Sequence, residues 1–179
     1  FLLKQNKIIE LLKTHTSTAE RLAFYPKLKE IIYSLNIKSI LDLASGLNPL
    51  VLASPNIEYY AFDIKESEIF LINKFFKKNK IKGKAIIKDI RKLKDFPKVE
   101  LCILFKILDI LENSYELAKK FLEKINCKYF LISFSTITLS GKKMNSPRRF
   151  WLEKILNQMN YSFKTFSSKN EIFYLVEKL

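Results

Sequence analysis

From residue 39 onward the chain alternates short, dense apolar runs with longer stretches whose apolar residues recur every three or four positions. The short runs, at 39–43, 58–64, 84–88, 100–106 and 129–135, have the length and composition of buried strands. The stretches at 48–53, 66–78, 115–125 and 148–159 carry the period of helices packed by one face. Strands and helices taking turns predict a largely parallel sheet covered by helices, an α/β fold. The end of the chain breaks this rhythm. Apolar runs at 162–167 and 172–177 are separated only by Ser168-Lys169-Asn170-Glu171, a connection short enough for an antiparallel hairpin.

The residues ahead of the first strand are helical in pattern. Residues 1–14 form an amphipathic stretch with Leu2, Leu3, Ile8, Ile9, Leu11 and Leu12 apolar. Ser17-Thr18-Ala19-Glu20 has the form of a capping box, in which Ser17 caps a new helix and Glu20 reaches back. Pro26 kinks that helix or splits it in two. The expected organisation is a helical N-terminal extension, 1–37, followed by an α/β domain, 38–179, without internal repeats or a linker.

A length of 179 residues and a hydrophobic share of 48% suit a domain with a full core. No apolar run is long enough to span a membrane and no signal-peptide plan is visible, so a cytoplasmic protein is expected. Cys102 and Cys127 lie in apolar runs and read as buried thiols of a reducing compartment. With the single His15 they make no zinc set, so no metal is expected. Charge changes the picture more. There are 32 Lys and Arg against 18 Asp and Glu, a net +14, which favours a polyanionic partner, RNA or DNA first. A Lys-, Ile-, Asn- and Phe-rich chain of this kind is also what an AT-biased genome produces.

The candidate chemistry begins at Ile40-Leu41-Asp42-Leu43-Ala44-Ser45-Gly46-Leu47-Asn48-Pro49. An apolar strand ends there on a small-residue turn, with a helix after it, as where a doubly wound sheet opens a nucleotide-type site. Asp63 follows at the end of the second strand run, seventeen residues past Gly46, where a carboxylate can hold both hydroxyls of a ribose. One glycine fits the pyrophosphate-cradling G-x-G-x-x-G poorly. An adenosine cofactor without phosphates, S-adenosylmethionine, suits the loop better. The plainer readings are an ordinary strand–turn–helix and an Asp63 that caps the helix starting at Glu66.

Four stretches resemble the 16S ribosomal RNA guanine-N7 methyltransferases that confer aminoglycoside resistance. His15-Thr16-Ser17-Thr18-Ala19-Glu20-Arg21-Leu22 looks like the family's H-x-S-T-x-E-R-L, and Leu41 to Pro49 like its L-D-x-A-C-G-L-N-P. Leu104-Phe105-Lys106-Ile107-Leu108-Asp109-Ile110-Leu111-Glu112 is similar to L-x-K-x-L-x-x-L-E. Ser133-Phe134-Ser135-Thr136-Ile137-Thr138-Leu139-Ser140-Gly141 resembles S-F-P-T-x-S-L-G-G. Ser45 replaces the usual Cys, and Ser135 and Ser140 replace a Pro and a Gly. The resemblance implies a class I methyltransferase, with a Rossmann-like, mostly parallel sheet ending in an antiparallel hairpin. The family's sizeable helical N-terminal domain, which helps dock the ribosomal subunit, is represented by about one helix before His15. The chain begins at Phe1 rather than Met, so a missing N-terminal piece, or a partner protein in its place, is expected.

S-adenosylmethionine is thereby the expected cofactor, with Arg21 implied to pair with its methionine carboxylate. Asp42 would order the loop or reach the methionine amine, and Ala44, Ser45 and Gly46 would line it. Asp63 and Ile64 would meet the ribose, and Asp89 and Ile90 the adenine. Phe105 and Lys106 would end the fourth strand at the cofactor edge. The plainer alternatives are a helix-surface Arg21, a turn Asp89 and a core Phe105, with His15 structural. Thr136, Thr138, Lys142, Lys143, Arg148 and Arg149 follow the fifth strand, whose carboxyl end faces the ligand crevice in such sheets, and are expected to receive substrate. Arginines at a helix start oppose its dipole, which favours a functional reason for them. Trp151 is either a base-stacking ring or core. No catalytic acid or base is expected, because guanine N7 offers a lone pair and no proton. The expected substrate is a structured ribosomal or transfer RNA. The competing readings are a small-molecule methyltransferase and a non-catalytic RNA-binding protein that has kept the fold.

Overall fold

The structure is a computed structural model that describes residues 5–93, 95–111, 115–138 and 140–178. Leu2, Leu3, Glu112 and Leu139, which belong to the expected first helix and to two of the motifs, lie outside the described residues. The chain divides into two compact units, Phe1–Leu93 and Lys94–Leu179.

In the first unit, helices α1 (Gln5–Lys13), α2 (Thr16–Arg21) and α3 (Tyr25–Ser34) precede the sheet, with a 3-10 turn at Leu22–Phe24. Pro26 occupies the first turn of α3, where its missing N–H costs nothing, so it starts a helix and splits the stretch in two. The expected cap is displaced. Helix α2 starts at Thr16 on His15, so Ser17 lies inside its first turn and not at the N-cap. The hydroxyl of Thr18 instead donates back to the His15 carbonyl at 3.0 Å.

Strands β1 (Ser39–Leu43), β2 (Glu58–Asp63) and β3 (Gly83–Ile87) pair in parallel, with Leu43 opposite Phe62 and Asp63 opposite Ile87. Helices α4 (Pro49–Leu52) and α5 (Glu66–Lys78) make the crossovers. Helix α5 carries Glu66 and Glu68 in its first turn and Lys77 and Lys78 in its last, each complementing the helix dipole. It buries Ile69, Ile72, Phe75 and Phe76. The Asn73 side chain fixes it to β3 by bonding both the N–H and the carbonyl of Ala85 at 2.9 Å. Gly83 opens β3 with φ +119°, and a Cβ there would lie 2.1 Å from the Tyr59 carbonyl oxygen. No other residue fits so close an approach.

In the second unit, β4 (Leu101–Phe105) pairs in parallel with β5 (Tyr129–Ser135). Strand β7 (Glu171–Glu177) runs antiparallel to β5 on one side and to β6 (Ser162–Ser167) on the other. The hairpin expected at the chain's end is therefore present, its turn closed by the Ser168 N–H donating to the Glu171 carbonyl at 2.8 Å. Helices α6 (Tyr115–Lys124) and α7 (Phe150–Gln158) complete the unit. Aromatic side chains pack in pairs: in the core Phe134 meets Tyr174 edge-on at 6.0 Å, and the half-buried Phe166 stacks on the buried Phe173 at 5.2 Å. Cys102 and Cys127 are buried free thiols, and burial pushes the Cys127 thiol up to about 12, which leaves it inert. No helix among the described residues is long and apolar enough to cross a membrane.

Candidate functional site

The first unit holds nine of the expected cofactor residues, eight of them at or just past the carboxyl ends of β1, β2 and β3 and the ninth, Arg21, on α2. Ala44 and Gly46, just past β1, both have positive φ, +50° and +49°. The backbone therefore turns sharply away from the strand. Asp63 at the end of β2 holds this turn: its Oδ2 accepts the Gly46 N–H at 2.8 Å. Its Oδ1 accepts the N–H groups of Ile64 at 2.7 Å and Lys65 at 3.2 Å. One carboxylate thus clamps two connections, and oxygen lone pairs remain to meet a ligand hydroxyl. Helix α5 is capped at Lys65, without a side-chain bond, so Asp63 serves the loops and not the helix start. Ile64 leaves the strand and is 63% exposed.

Behind the turn lies a buried polar network. Arg21 is only 2% exposed, so the reading of a surface arginine does not hold. It donates to Asn48 Oδ1 at 3.0 Å, and the Tyr25 hydroxyl donates to the same oxygen at 2.6 Å. The Tyr59 hydroxyl donates to Asp42 Oδ2 at 2.7 Å, while Asp42 Oδ1 is buried and accepts no hydrogen bond of good geometry. Desolvation pushes the Asp42 carboxyl up to about 8, with Tyr59, Asn48 and Arg21 countering it in part. Burial first, then the Asp42 charge, raises the Tyr59 phenol well above its usual range, which keeps it a donor. His15 rests on the loop as well, its ring 3.2 Å from where a Gly46 Cβ would stand and its Nε2 3.7 Å from Glu68 Oε1.

Because the folded-state pKa of Asp42 lies above its unfolded value, protonated Asp42 favours the folded state. That contribution is complete below about pH 4 and is lost as the pH rises toward about 8. Asp42→Asn is expected to flatten this part of the stability–pH profile in denaturant titrations; an unchanged slope would place the dependence elsewhere.

Asp89, just after β3, has the geometry of its plainer reading. Its carboxylate accepts the Arg91 N–H at 3.0 Å and grips the Arg91 guanidinium at 2.9 and 2.7 Å. The side-chain bond to Arg91 holds its carboxyl low, at about 2. Ile90 beside it is buried.

The second unit holds the remaining residues. Phe105 is buried against Phe173, with ring centroids 5.7 Å apart. Lys106 has φ +57° and reaches Glu171 Oε1 at 3.5 Å, and Glu171 also accepts the Ser133 hydroxyl at 2.7 Å. Ile137 and Lys143 pair in an isolated antiparallel bridge. Thr138 supports it through its N–H to the Lys142 carbonyl at 2.8 Å and its hydroxyl to the Lys142 backbone at 3.1 Å. Thr136 accepts the Met144 N–H at 2.9 Å. Lys142 and Lys143 are exposed. The two arginines differ from them. Arg148 is engaged by Glu153 at 2.8 Å through two nitrogens, so the dipole of α7 is met by a carboxylate in its own first turn. Arg149 turns inward, to the carbonyls of Pro147 at 3.0 Å and Ser135 at 3.2 Å and to Asp109 at 3.4 Å. Trp151 meets Phe134 edge-on at 5.9 Å. No group of residues suited to a metal ion occurs among the described residues.

Sequence reasoning missed Asn48, Tyr25, Tyr59 and Glu171 as supports. Asn48 sits in the quoted loop motif and was open to detection. Tyr59 and Glu171 act across strands and leave no local signal.

No curated protein matches the sequence. Among solved structures, the 16S rRNA methylase RmtB superposes with a TM-score of 0.82 at 25% identity, covering 99% of this chain and 71% of that one. The 16S rRNA methylase ArmA gives 0.75 at 26% identity, covering 98% and 93%. The 16S rRNA methyltransferase RmtF, in complex with S-adenosyl-L-homocysteine, gives 0.81 at 24% identity, covering 96% and 68%. More distant methyltransferases share the fold, which is that of class I S-adenosylmethionine-dependent methyltransferases. The family model of ribosomal RNA methyltransferase (FmrO) matches residues 5–175. A chain matched over that span belongs to the ribosomal RNA methyltransferase (FmrO) family.

Proposed function

We propose that this protein transfers a methyl group from S-adenosylmethionine to N7 of one guanine in small-subunit ribosomal RNA. The observation that carries this reading is the turn at 44–46 clamped by Asp63, with the unmatched Asp42 Oδ1 behind it, in a chain of a ribosomal RNA methyltransferase family. An orphaned buried carboxylate oxygen suits the ammonium of the methionine moiety, and the Asp63 oxygens suit ribose hydroxyls. Arg21 is the proposed partner of the methionine carboxylate. Asp89 and Ile90 would meet the adenine, Asp89 keeping lone pairs beyond those Arg91 engages. Ala44, Ser45 and Ile64 would line the cofactor.

The cofactor supplies a methyl on a sulfonium, an electrophile that needs no activation. Guanine N7 attacks with a lone pair and loses no proton, so the residues here have only to hold both reactants in line. The lack of a proposed general base follows from that chemistry. In an A-form helix N7 faces a deep, narrow groove, so the target base must be looped or flipped out. Thr136, Thr138, Lys142 and Lys143 are the proposed receiving residues. Arg149, spent on its internal bonds, is reassigned to holding the loop, and Arg148 retains an exposed but paired charge. Buried thiols such as Cys102 and Cys127 are compatible with a reducing cytoplasm.

The test is methyl transfer from labelled S-adenosylmethionine to small-subunit particles, naked ribosomal RNA and transfer RNA in parallel. Chemical cleavage at N7-methylguanine then maps the product. Label at one guanine of the small-subunit RNA is the expected result. Label confined to transfer RNA, or none with cofactor bound, would overturn the proposal. Replacing Lys142 and Lys143 together by Ala is expected to raise KM for RNA roughly tenfold at moderate salt and to leave cofactor affinity unchanged. Equal RNA affinity would make these lysines plain surface.

A further inference from the structure

The sequence offers Trp151 as the ring that could stack on a base, but the structure gives that exposure to its neighbour. Trp151 is packed edge-on against Phe134, whereas Phe150 is 63% exposed. A phenylalanine left in water forgoes the stabilisation that burial would give it, and at the first position of α7 it contributes nothing special to the helix.

The ground beneath Phe150 is fixed. Arg149, next to it, donates its N–H to the Tyr174 hydroxyl at 2.8 Å and holds the Ser135 and Pro147 carbonyls through its guanidinium. On the other side, the Arg148 guanidinium lies 5.7 Å from the Phe150 ring centroid while Glu153 holds its fork. The ring thus projects from an anchored backbone beside a restrained guanidinium. Arg149 also reaches Met144 Sδ at 3.8 Å, which ties the residue after Lys143 to the residue before Phe150. Lys142 and Lys143, just before Met144, are both exposed, and the acids Glu153 and Asp109 are already engaged by Arg148 and Arg149. The charge that this stretch of chain leaves uncompensated is therefore positive.

We infer that Phe150 is a stacking platform for an unpaired RNA base, with Lys142 and Lys143 gripping the phosphates next to it. The inference rests on the proposed RNA substrate. An aromatic face with flanking cations is the means by which single-stranded nucleic acid is held without base specificity, since every base has a π-face. The platform discriminates looped or opened RNA from duplex RNA, whose bases are stacked on one another. It does not select the target base. A protein that must take its guanine from an opened helix gains from holding a displaced neighbour.

The test uses the full chain and a hairpin RNA whose loop carries a fluorescent adenine analogue quenched by stacking. A blunt duplex of equal length is the control. Wild-type protein is expected to quench the loop analogue. Phe150→Leu is expected to lose the quench and about tenfold in loop affinity, while Phe150→Trp retains both and the duplex distinguishes none of the variants. Cofactor binding by Phe150→Leu at wild-type strength shows that it is folded. Loop affinity and quench in Phe150→Leu equal to wild type would overturn the inference, as would an equal loss on the duplex. The methylation assay separates the two proposals. Wild-type protein that methylates RNA, with Phe150→Leu indistinguishable from it, removes the platform and leaves the enzyme. Phe150-dependent quenching without methylation of any RNA removes the enzyme and leaves the platform.

Discussion

Asp63→Ala is expected to weaken S-adenosylmethionine binding by at least about a hundredfold and to cost about 2–4 kcal/mol of stability. Both effects come from one group. The carboxylate accepts three backbone N–H groups, from Gly46, Ile64 and Lys65. Alanine leaves all three without their acceptor at a residue that is only 9% exposed. The turn after β1 then loses the tie that keeps Ala44 and Gly46 in their positive-φ conformations, and the proposed ribose contacts disappear with it. Calorimetric titration with S-adenosylhomocysteine reads the first effect and denaturant unfolding the second. Asp63→Asn, which keeps one acceptor and adds a misplaced donor, should fall between the two. Affinity unchanged in a destabilised Asp63→Ala protein would reduce Asp63 to a loop clamp and remove the central site assignment.

Arg21→Ala is expected to cost about 3–5 kcal/mol, the range for breaking a buried charged network from one side. The side chain is 2% exposed and spans from α2 to Asn48 in the turn that follows β1. Its removal leaves Tyr25 alone on Asn48 Oδ1 and takes away a positive charge that helps keep the Asp42 pKa down. The midpoint of thermal unfolding should fall by roughly 10 °C for a chain of this size. Cofactor affinity should fall with it, because Asn48 and Asp42 belong to the same loop. Arg21→Lys keeps the charge and loses the planar fork, so it should recover part of the stability. A melting temperature equal to wild type would mean that the helices before the sheet are not braced on this loop by Arg21.

These two expectations depend unequally on what the sequence displays. Asp63 is legible as a candidate because a carboxylate ends an apolar run at a fixed distance from a small-residue turn. Its threefold bonding is not, since it depends on β1 and β2 lying side by side with Leu43 opposite Phe62. Arg21 is identifiable by motif resemblance alone; its burial follows from where α2 packs. Asp89 shows the converse. Its pairing with Arg91, two residues away, is local enough to have been foreseen, and it gives the plainer reading real weight.

The arginines after β5 illustrate a limit of charge reading. Lys142, Lys143, Arg148 and Arg149 look equivalent along the chain, yet only the lysines present charge that nothing in the described local structure engages. Glu153, one turn into α7, and Asp109, after β4, take up the two guanidinium groups. Likewise Trp151 and Phe150 are adjacent aromatics at a helix start. Which of them faces water is decided by a rotation of one residue about the helix axis, and that rotation is set by the packing of Phe134.

By itself the sequence determined the order and type of the elements. Apolar runs near the length of one strand, the period of α5, Pro26 and the four-residue connection before β7 act through neighbours along the chain, and such short-range terms survive without tertiary context. It also determined that Gly46, Asp63 and Asp42 belong to one loop system, because strand ends in an alternating α/β chain converge on one edge. Only the tertiary structure decided which charges are spent. The desolvation of Asp42, the partners of Arg21 and Arg149, the role of Glu171 and the exposure of Phe150 all arise between residues distant in sequence, or from the packing of a whole helix. Burial and long-range pairing, not residue type, fix what a polar or aromatic group is free to do.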